Sequence, residues 1–254
     1  APQNGNSLID FLKKQQISKN EMQTLHLINE KGQSFFFDRL IFPIEDARGR
    51  VVGFSARAYK DSFFGGKYIN SKESILFKKS NLLYGLSHSR QRVAKEKKVL
   101  IVEGQIDALR LISAGLNATV APLGTALTET HIHKLKQIGV ERAVIAFDSD
   151  TAGIKAAMRS GHLLQKNGVA VECVLLPKGY DPDQLIREKG LDAFLDLLKK
   201  RQEYLAFMLF VASKTLDLNE PATKAKLIQK VSGQIREWQD PVMVYESLKR
   251  LASL

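Results

Sequence analysis

ERAVIAFDSDTAGIKAA, residues 141–157, decides how this chain is read. Residues 143–147 are an apolar run of strand length, and two carboxylates, Asp148 and Asp150, follow it directly. Thr151-Ala-Gly153 then opens a helix, with Ile154, Ala157, Met158, Gly161 and Leu164 at helical spacing. An acidic pair therefore stands where a buried strand turns into a helix, which is the edge at which open α/β sheets bind ligands. Two acids this close repel unless a cation lies between them. Mg²⁺ is the usual answer, because it takes few carboxylates and leaves room for phosphate oxygens. The plain alternative makes Asp148 a loop acid and Asp150 or Thr151 a helix cap. A lone Asp-x-Asp does not separate the two readings, so the flanking sequence must.

Outward from this stretch the pattern alternates. Residues 99–102 read as a strand ending in Glu103-Gly104, 106–114 as a helix, 118–121 as a strand, 128–137 as a helix, and 169–176 as another strand. This βαβαβαβ order predicts a parallel sheet with right-handed crossovers, Rossmann-like in layout. No Gly-x-Gly-x-x-Gly follows the first strand, which disfavours a dinucleotide site. Strand ends of one kind share an edge, so Glu103, the pair Asp148 and Asp150, and the later pair Asp181 and Asp183 are expected to converge. Like charges a few ångströms apart repel by ~1 kcal/mol or more even in water. Two Mg²⁺ ions would relieve that and would suit in-line phosphoryl transfer. Asp107 reads as a structural residue beside this edge rather than a ligand.

The front of the chain differs. Residues 1–98 hold eighteen Lys/Arg against nine Asp/Glu, whereas 99–254 hold twenty against eighteen, so most of the formal net charge of +11 lies at the front. That asymmetry suits a polyanion held by one part and processed by another. Residues 1–31 read as helical, and 35–37, 40–44 and 51–57 as strands, with a turn at 46–49 and short extended pieces at 67–70 and 76–77. Residues 63–66 read as a loop, and a helix is expected over 88–96. Arg39, Arg57, Tyr59, Lys67, Tyr68 and Lys78 interleave cations with aromatics, as a groove along a nucleic-acid backbone would; a solvated strand face is the ordinary alternative. The expected division is a basic mixed α/β subdomain at 1–96, a catalytic α/β domain at 97–180, and a helical subdomain at 181–254.

The 254 residues are 44% hydrophobic, ample for one large domain or two to three small ones. Cys173 is the only cysteine, which excludes an internal disulfide and a Cys-based zinc site, and its apolar surroundings make it a core residue. His131 and His133 lie on one helix two residues apart and so do not share a face to bind a metal. No apolar run is long enough to span a membrane and no signal peptide is visible, which points to the cytoplasm.

With these residues assembled, a family resemblance emerges. Val99-Leu-Ile-Val-Glu-Gly-Gln-Ile-Asp107 and Ala146-Phe-Asp-Ser-Asp-Thr-Ala-Gly153 resemble the two signature motifs of the TOPRIM domain of topoisomerases, primases and some nucleases. Phe42-Pro-Ile44, Gly49-Arg-Val-Val-Gly-Phe54, Lys67-Tyr-Ile-Asn-Ser71, Leu83-Tyr-Gly-Leu86, Pro122-Leu-Gly-Thr-Ala-Leu-Thr128 and Tyr180-Asp-Pro-Asp183 resemble the catalytic core of bacterial DnaG-type DNA primase, over about the whole chain. Gln105-Ile106 stand where the family often has Tyr-Met, Ser149 where it often has Gly, and Gly66 and Lys72 where prolines are common.

The resemblance implies synthesis of RNA primers on single-stranded DNA from NTPs. It assigns Glu103, Asp148 and Asp150 as catalytic Mg²⁺ ligands (Mn²⁺ as a substitute), with Asp181 and Asp183 as a further acidic motif. Arg39, Arg57, Lys67, Asn70 and Lys78 would handle template or nucleotide phosphates. It further implies a monomer working with a replicative helicase and a single-strand-binding protein, with the zinc module and the helicase-interacting domain lying outside these residues. A haloacid-dehalogenase-like phosphatase would give Glu103 and the basic front no role. A topoisomerase would need a catalytic Tyr in a further domain, and a plain single-strand binder leaves the acids unexplained.

Overall fold

The computed structural model describes residue 1, residues 5–58 and residues 66–253. Residues 63–65 of the expected loop and the aromatic Tyr59 lie outside those residues. The chain divides into two compact units, Ala1–Leu82 and Leu83–Leu254.

The first unit opens with α1 (Asn6–Lys14) and α2 (Lys19–Thr24). Ser18 caps α2, taking the Glu21 N–H while the Glu21 carboxylate takes the Ser18 N–H, so both ends of the first turn are satisfied. β1 (Leu40–Glu45), β2 (Val51–Arg57) and β3 (Tyr68–Asn70) form an antiparallel sheet in that order. Asp46 makes the β1–β2 turn, its carboxylate accepting from the Arg48 and Arg50 N–H groups. Gly53 on β2 admits the Phe77 ring, since a Cβ there would stand 2.6 Å from Phe77 Cδ2. Two expectations fail here. Residues 35–37 form a turn, not a strand, with Phe36 buried and packed edge-on to Phe35 and Phe54. Residues 76–77 are irregular, because Phe77 is committed to filling the space over Gly53. In both places burial of aromatic rings overrode strand propensity.

The second unit carries β4 (Leu83–Tyr84), α3 (Leu86–Glu96), β5 (Lys98–Val102), α4 (Gln105–Ser113), β6 (Thr119–Pro122), α5 (Glu129–Gln137), β7 (Arg142–Ala146), α6 (Thr151–Lys166) and β8 (Ala170–Cys173). There follow α7 (Pro182–Lys189), α8 (Leu191–Lys199), β9 (Gln202–Glu203), α9 (Tyr204–Thr215), α10 (Pro221–Arg236) and α11 (Pro241–Ala252). The sheet order is β4-β6-β5-β7-β8-β9, parallel in its four central strands and antiparallel at both edges. The mixed α/β class and the parallel centre are thus as the sequence implies. β4 and α3, grouped with the front by composition, pair and pack with β5 and β6. β9, a two-residue edge pairing, interrupts the stretch read as wholly helical.

β5 and β7 are apolar almost throughout, as parallel strands covered on both faces must be: Val99, Leu100, Ile101, Val102 and residues 143–146 are all buried. Burial of each large side chain contributes roughly 1.5–3 kcal/mol. Cys173 is buried in this core, and that burial pushes its thiol far up, so it stays protonated and inert. His131 is fully buried and completes a helix cap, its Nδ1 accepting the Thr128 N–H while Thr128 Oγ1 accepts the His131 N–H. Gly161 on α6 lets α9 approach. A Cβ there would lie 2.3 Å from the Tyr204 ring, and Tyr204 OH donates to the Met158 carbonyl at 2.6 Å. No helix among the described residues is long and apolar enough to cross a membrane.

Candidate functional site

β5 lies between β6 and β7. The chain leaves β5 toward one side, to β6, and returns to the other, to β7. Such a reversal opens a crevice beyond the carboxyl ends of the two central strands. Glu103 follows β5 and Asp148 lies two residues past β7, so these two acids flank the crevice.

Their environment is severe. One Glu103 oxygen accepts the Asp148 N–H, while Oε2 is buried with no partner. Burial, then the charge of Asp150, pushes the Glu103 carboxyl above the usual range; the Asp148 N–H and Arg159 pull the other way. Asp148 Oδ1 is likewise buried and unpartnered. Burial, followed by the charges of Glu103, Asp107, Asp181 and Asp150, pushes Asp148 up to about 7. Gly153 makes this turn possible. A Cβ there would lie 2.3 Å from the Asp148 carbonyl oxygen.

The remaining acids have local tasks as well. Asp150 caps α6, its Oδ1 accepting the Gly153 N–H at 2.7 Å. Asp181 caps α7, its Oδ1 accepting the Gln184 N–H at 2.6 Å. Asp183 is drawn aside by Arg110, whose Nε donates to it at 2.7 Å. Asp107, six per cent exposed, accepts the Asp183 N–H on one oxygen and the Gly104 N–H on the other. It therefore ties the turn that carries Glu103 to the start of α7. Burial raises it to about 6, with Asp181 and Asp183 adding to the shift and the two N–H groups opposing it. Ser149 makes a similar tie: its Oγ accepts the Gly179 N–H and donates to the Tyr180 carbonyl. The Arg110 and Ser149 roles have no signature in the sequence, because each depends on a partner 30 or more residues away.

Asp148 thus feels the charges of Glu103, Asp107, Asp181 and Asp150, Glu103 feels that of Asp150, and Asp183 faces Arg110. Among the described residues no three His, Cys, Asp or Glu side chains enclose an ion by themselves. What the crevice offers is two buried carboxylate oxygens lacking any partner, in a field of further negative charge. That set fits a hard divalent cation which keeps water or phosphate oxygens in its other positions. It lacks the Cys and His donors that make a structural zinc site.

In the first unit the expected basic residues fall into two groups. Arg57 and Tyr68 are register partners across β2 and β3, with the guanidinium 5.6 Å from the ring centroid. Asn70 is the register partner of Ser55 on the same pair, and Asn70 Oδ1 and Ser55 Oγ are both buried without a partner. Lys67 and Lys78 are exposed nearby in sequence. Arg39 is different. It is four per cent exposed and donates through Nη1 to the Gly66 carbonyl at 2.9 Å, so it works inside the fold. Ser55 was not foreseen; a serine in an apolar strand carries no signal until its unpaired hydroxyl is seen beside Asn70.

Known proteins resemble this arrangement along the whole chain. A model for the N-terminal domain of the DNA primase catalytic core matches residues 1–90, a Toprim-like model matches 100–186, and a model for the DnaB-helicase binding domain of primase matches 205–254. The DNA primase of Chlamydia muridarum is 45% identical over 224 residues, covering 88% of this chain and 37% of that protein. The E. coli primase catalytic core superposes with a TM-score of 0.85 at 30% identity, covering all of this chain and 82% of that one. A DnaG primase catalytic domain bound to single-stranded DNA superposes at 0.83 with 29% identity, covering 96% and 81%. The chain spans about two fifths of the length of the curated relatives it matches. The third family match corrects one expectation. The helices from α9 to α11 resemble a helicase-binding segment, which the family resemblance places outside these residues. Amphipathic helices have no individual motif, so nothing in their pattern distinguished a docking segment from a cap on the core.

Proposed function

The chain belongs to the DnaG-type DNA primase family, and from that premise we propose that it is a metal-dependent nucleotidyltransferase making short RNA primers on single-stranded DNA. The observation that carries this is the pair of buried, unpartnered oxygens, Glu103 Oε2 and Asp148 Oδ1, at the crevice between β5 and β7. In the reaction the 3′-hydroxyl oxygen of one ribonucleotide bonds to the α-phosphorus of an incoming NTP, and pyrophosphate leaves. Glu103 and Asp148 would hold a divalent cation, Mg²⁺ or Mn²⁺, with Asp150 holding a second and Asp181 beside them. Bound there, the ions lower the pKa of the attacking hydroxyl and balance charge on the departing pyrophosphate.

The chain's own residues do the rest. Asp107 and Ser149 fix the two acidic turns relative to α7, and Gly153 keeps α6 close behind Asp148. Asp183, anchored by Arg110, holds the α7 end in place rather than binding the ion directly. In the first unit Arg57, Lys67, Asn70 and Lys78 would take phosphates of template or nucleotide, with Ser55 adding a hydroxyl. Labour divides as 1–96 for nucleic acid, 97–180 for chemistry and 181–254 as the helical part. The helices over 205–254 would contact the replicative helicase. Single-strand-binding protein is the other partner this reading implies, and the working unit is a monomer.

The test is a primer-synthesis assay with single-stranded DNA, labelled NTPs and Mg²⁺ or Mn²⁺, comparing the wild-type chain with Asp148→Ala and Glu103→Ala. Short RNA products that vanish in both folded variants support the reading. Synthesis retained by folded Asp148→Ala in saturating metal would falsify it.

A further inference from the structure

A second built feature lies away from the acids, behind α6. Between α6, α9 and α10 there is an open trough of about 660 Å³. Its floor is aliphatic and soft: Ile154 and Met158 from α6, Met208 and Val211 from α9, Leu227 and Val231 from α10. The close approach of α9 to α6 at Gly161 and the Tyr204 bond to the Met158 carbonyl set one wall. The rim is basic: Lys155, Lys214, Lys226 and Lys230 line it, with no Asp or Glu. Lys226 and Lys230 are one helical turn apart and so share a face. No ion pair joins Lys155, Lys226 or Lys230 to a carboxylate among the described residues. A neighbouring hollow of about 520 Å³ shares Lys155, Met158, Lys230 and Gln234 and carries the groove on past Arg159.

The chemistry of this trough selects its occupant. Four cations around one apolar opening call for an anionic partner. A nucleic-acid strand would be held by rings on which bases stack. No Phe, Tyr or Trp lines either hollow. A floor of Met, Leu, Ile and Val instead matches the apolar face of an amphipathic helix, and methionines adapt to such faces. The joined hollows also exceed what one drug-sized ligand fills. We propose that this trough docks an acidic amphipathic helical peptide, its apolar face on the Met158–Met208 floor and its carboxylates against Lys226, Lys230, Lys155 and Lys214. The trough begins at Thr151, one residue past Asp150, so an occupant would lie beside the helix start that presents the acidic edge.

The probe is a fluorescein-labelled peptide of about sixteen residues, with leucines at i, i+3, i+4 and i+7 and glutamates elsewhere. Fluorescence anisotropy with the full chain should show saturable binding, weakened about ten-fold or more by scrambling the peptide. The double variant Lys226→Glu with Lys230→Glu should lose about ten-fold as well, and should regain affinity for a peptide carrying Lys in place of Glu. Thr215→Trp, which fills the trough without touching charge, gives an independent loss should the charge-reversed chain not fold by circular dichroism. Equal affinity for the scrambled peptide, or no saturation by about 1 mM, would overturn the proposal. So would a sixteen-nucleotide oligo-dT whose affinity falls in the double variant while the peptide's does not, which would assign the trough to nucleic acid.

Discussion

The two sheets carry their polar chemistry in opposite ways. In the first unit, on and around the antiparallel sheet, the charges stand mostly in solvent: Lys67 and Lys78 are exposed, and Arg57 lies over Tyr68. At the carboxyl edge of the parallel sheet the charges are partly withdrawn from water and crowd one another, and two oxygens have nothing to bond. An exposed lysine costs little and so says little about what it binds. A buried carboxylate without a partner costs a great deal, and its persistence in a well-packed crevice is strong evidence of a ligand.

The largest break in this contrast should come from Asp148→Asn. Nucleotide incorporation should fall by about 10³-fold or more, since one charged group that stabilises a phosphoryl transition state is worth that much. The same change should make the metal-free protein more resistant to heat at pH 8, by a few °C, because a repelled, half-buried charge is removed. Activity and stability moving in opposite directions, read by primer assay and calorimetry, distinguishes a ligand site from a structural acid; a fall in both would place Asp148 in the scaffold.

Gly153→Ala comes next. With a Cβ 2.3 Å from the Asp148 carbonyl, α6 must shift, at a cost of roughly 1–3 kcal/mol in unfolding free energy, and activity should drop with it. Chemical denaturation checks the first and the primer assay the second. No change in either would mean that the turn is looser than its geometry indicates.

The pH profile sharpens the contrast further. Asp148 and Asp107 have folded-state values raised to about 7 and about 6, above their unfolded value of 3.8. The folded state therefore holds more protons than the unfolded state between those limits, and stability falls as pH rises through that window. In metal-free buffer the melting temperature should be higher at pH 5.5 than at pH 8. Mg²⁺ should restore it at pH 8 and do much less at pH 5.5. Equal protection by Mg²⁺ at both values would argue that the acids are not its ligands.

The smallest effects belong to the basic sheet. Arg57→Ala should weaken single-stranded DNA or NTP binding by about three- to ten-fold and reduce the salt slope by about one. Arg39→Ala should cost stability with no change in that slope, because its guanidinium is spent on Gly66. Identical salt slopes for both variants would erase the distinction drawn between them.

Much of this was readable in the residues. The parallel centre was legible because strands covered on both faces must be apolar throughout, and each acid announced itself by following such a run. Phe36 and Phe77 misled because bulky aromatics favour strands on average, whereas here distant neighbours claimed them as core. β4 and β9, two residues each, are too short for any periodicity to register. At the site, the identity of the acids was visible but their allegiance was not. Asp183 belongs to Arg110, and Asp107 bridges to a backbone 76 residues away; both facts exist only through space.

The placement of β5 has a consequence for how the molecule comes to exist. Both of its sheet neighbours, β6 and β7, lie later in the chain. During synthesis the run Lys98–Val102 emerges with both hydrogen-bonding edges open; Thr119–Pro122 closes one edge, and the other stays open until Arg142–Ala146 is made. A chain cut short before Arg142 would pair one edge with β6 and leave the other bare, an apolar strand with nothing to close it. Such a fragment should aggregate. The crevice that gathers Glu103 and Asp148 accordingly cannot form until β7 has been made.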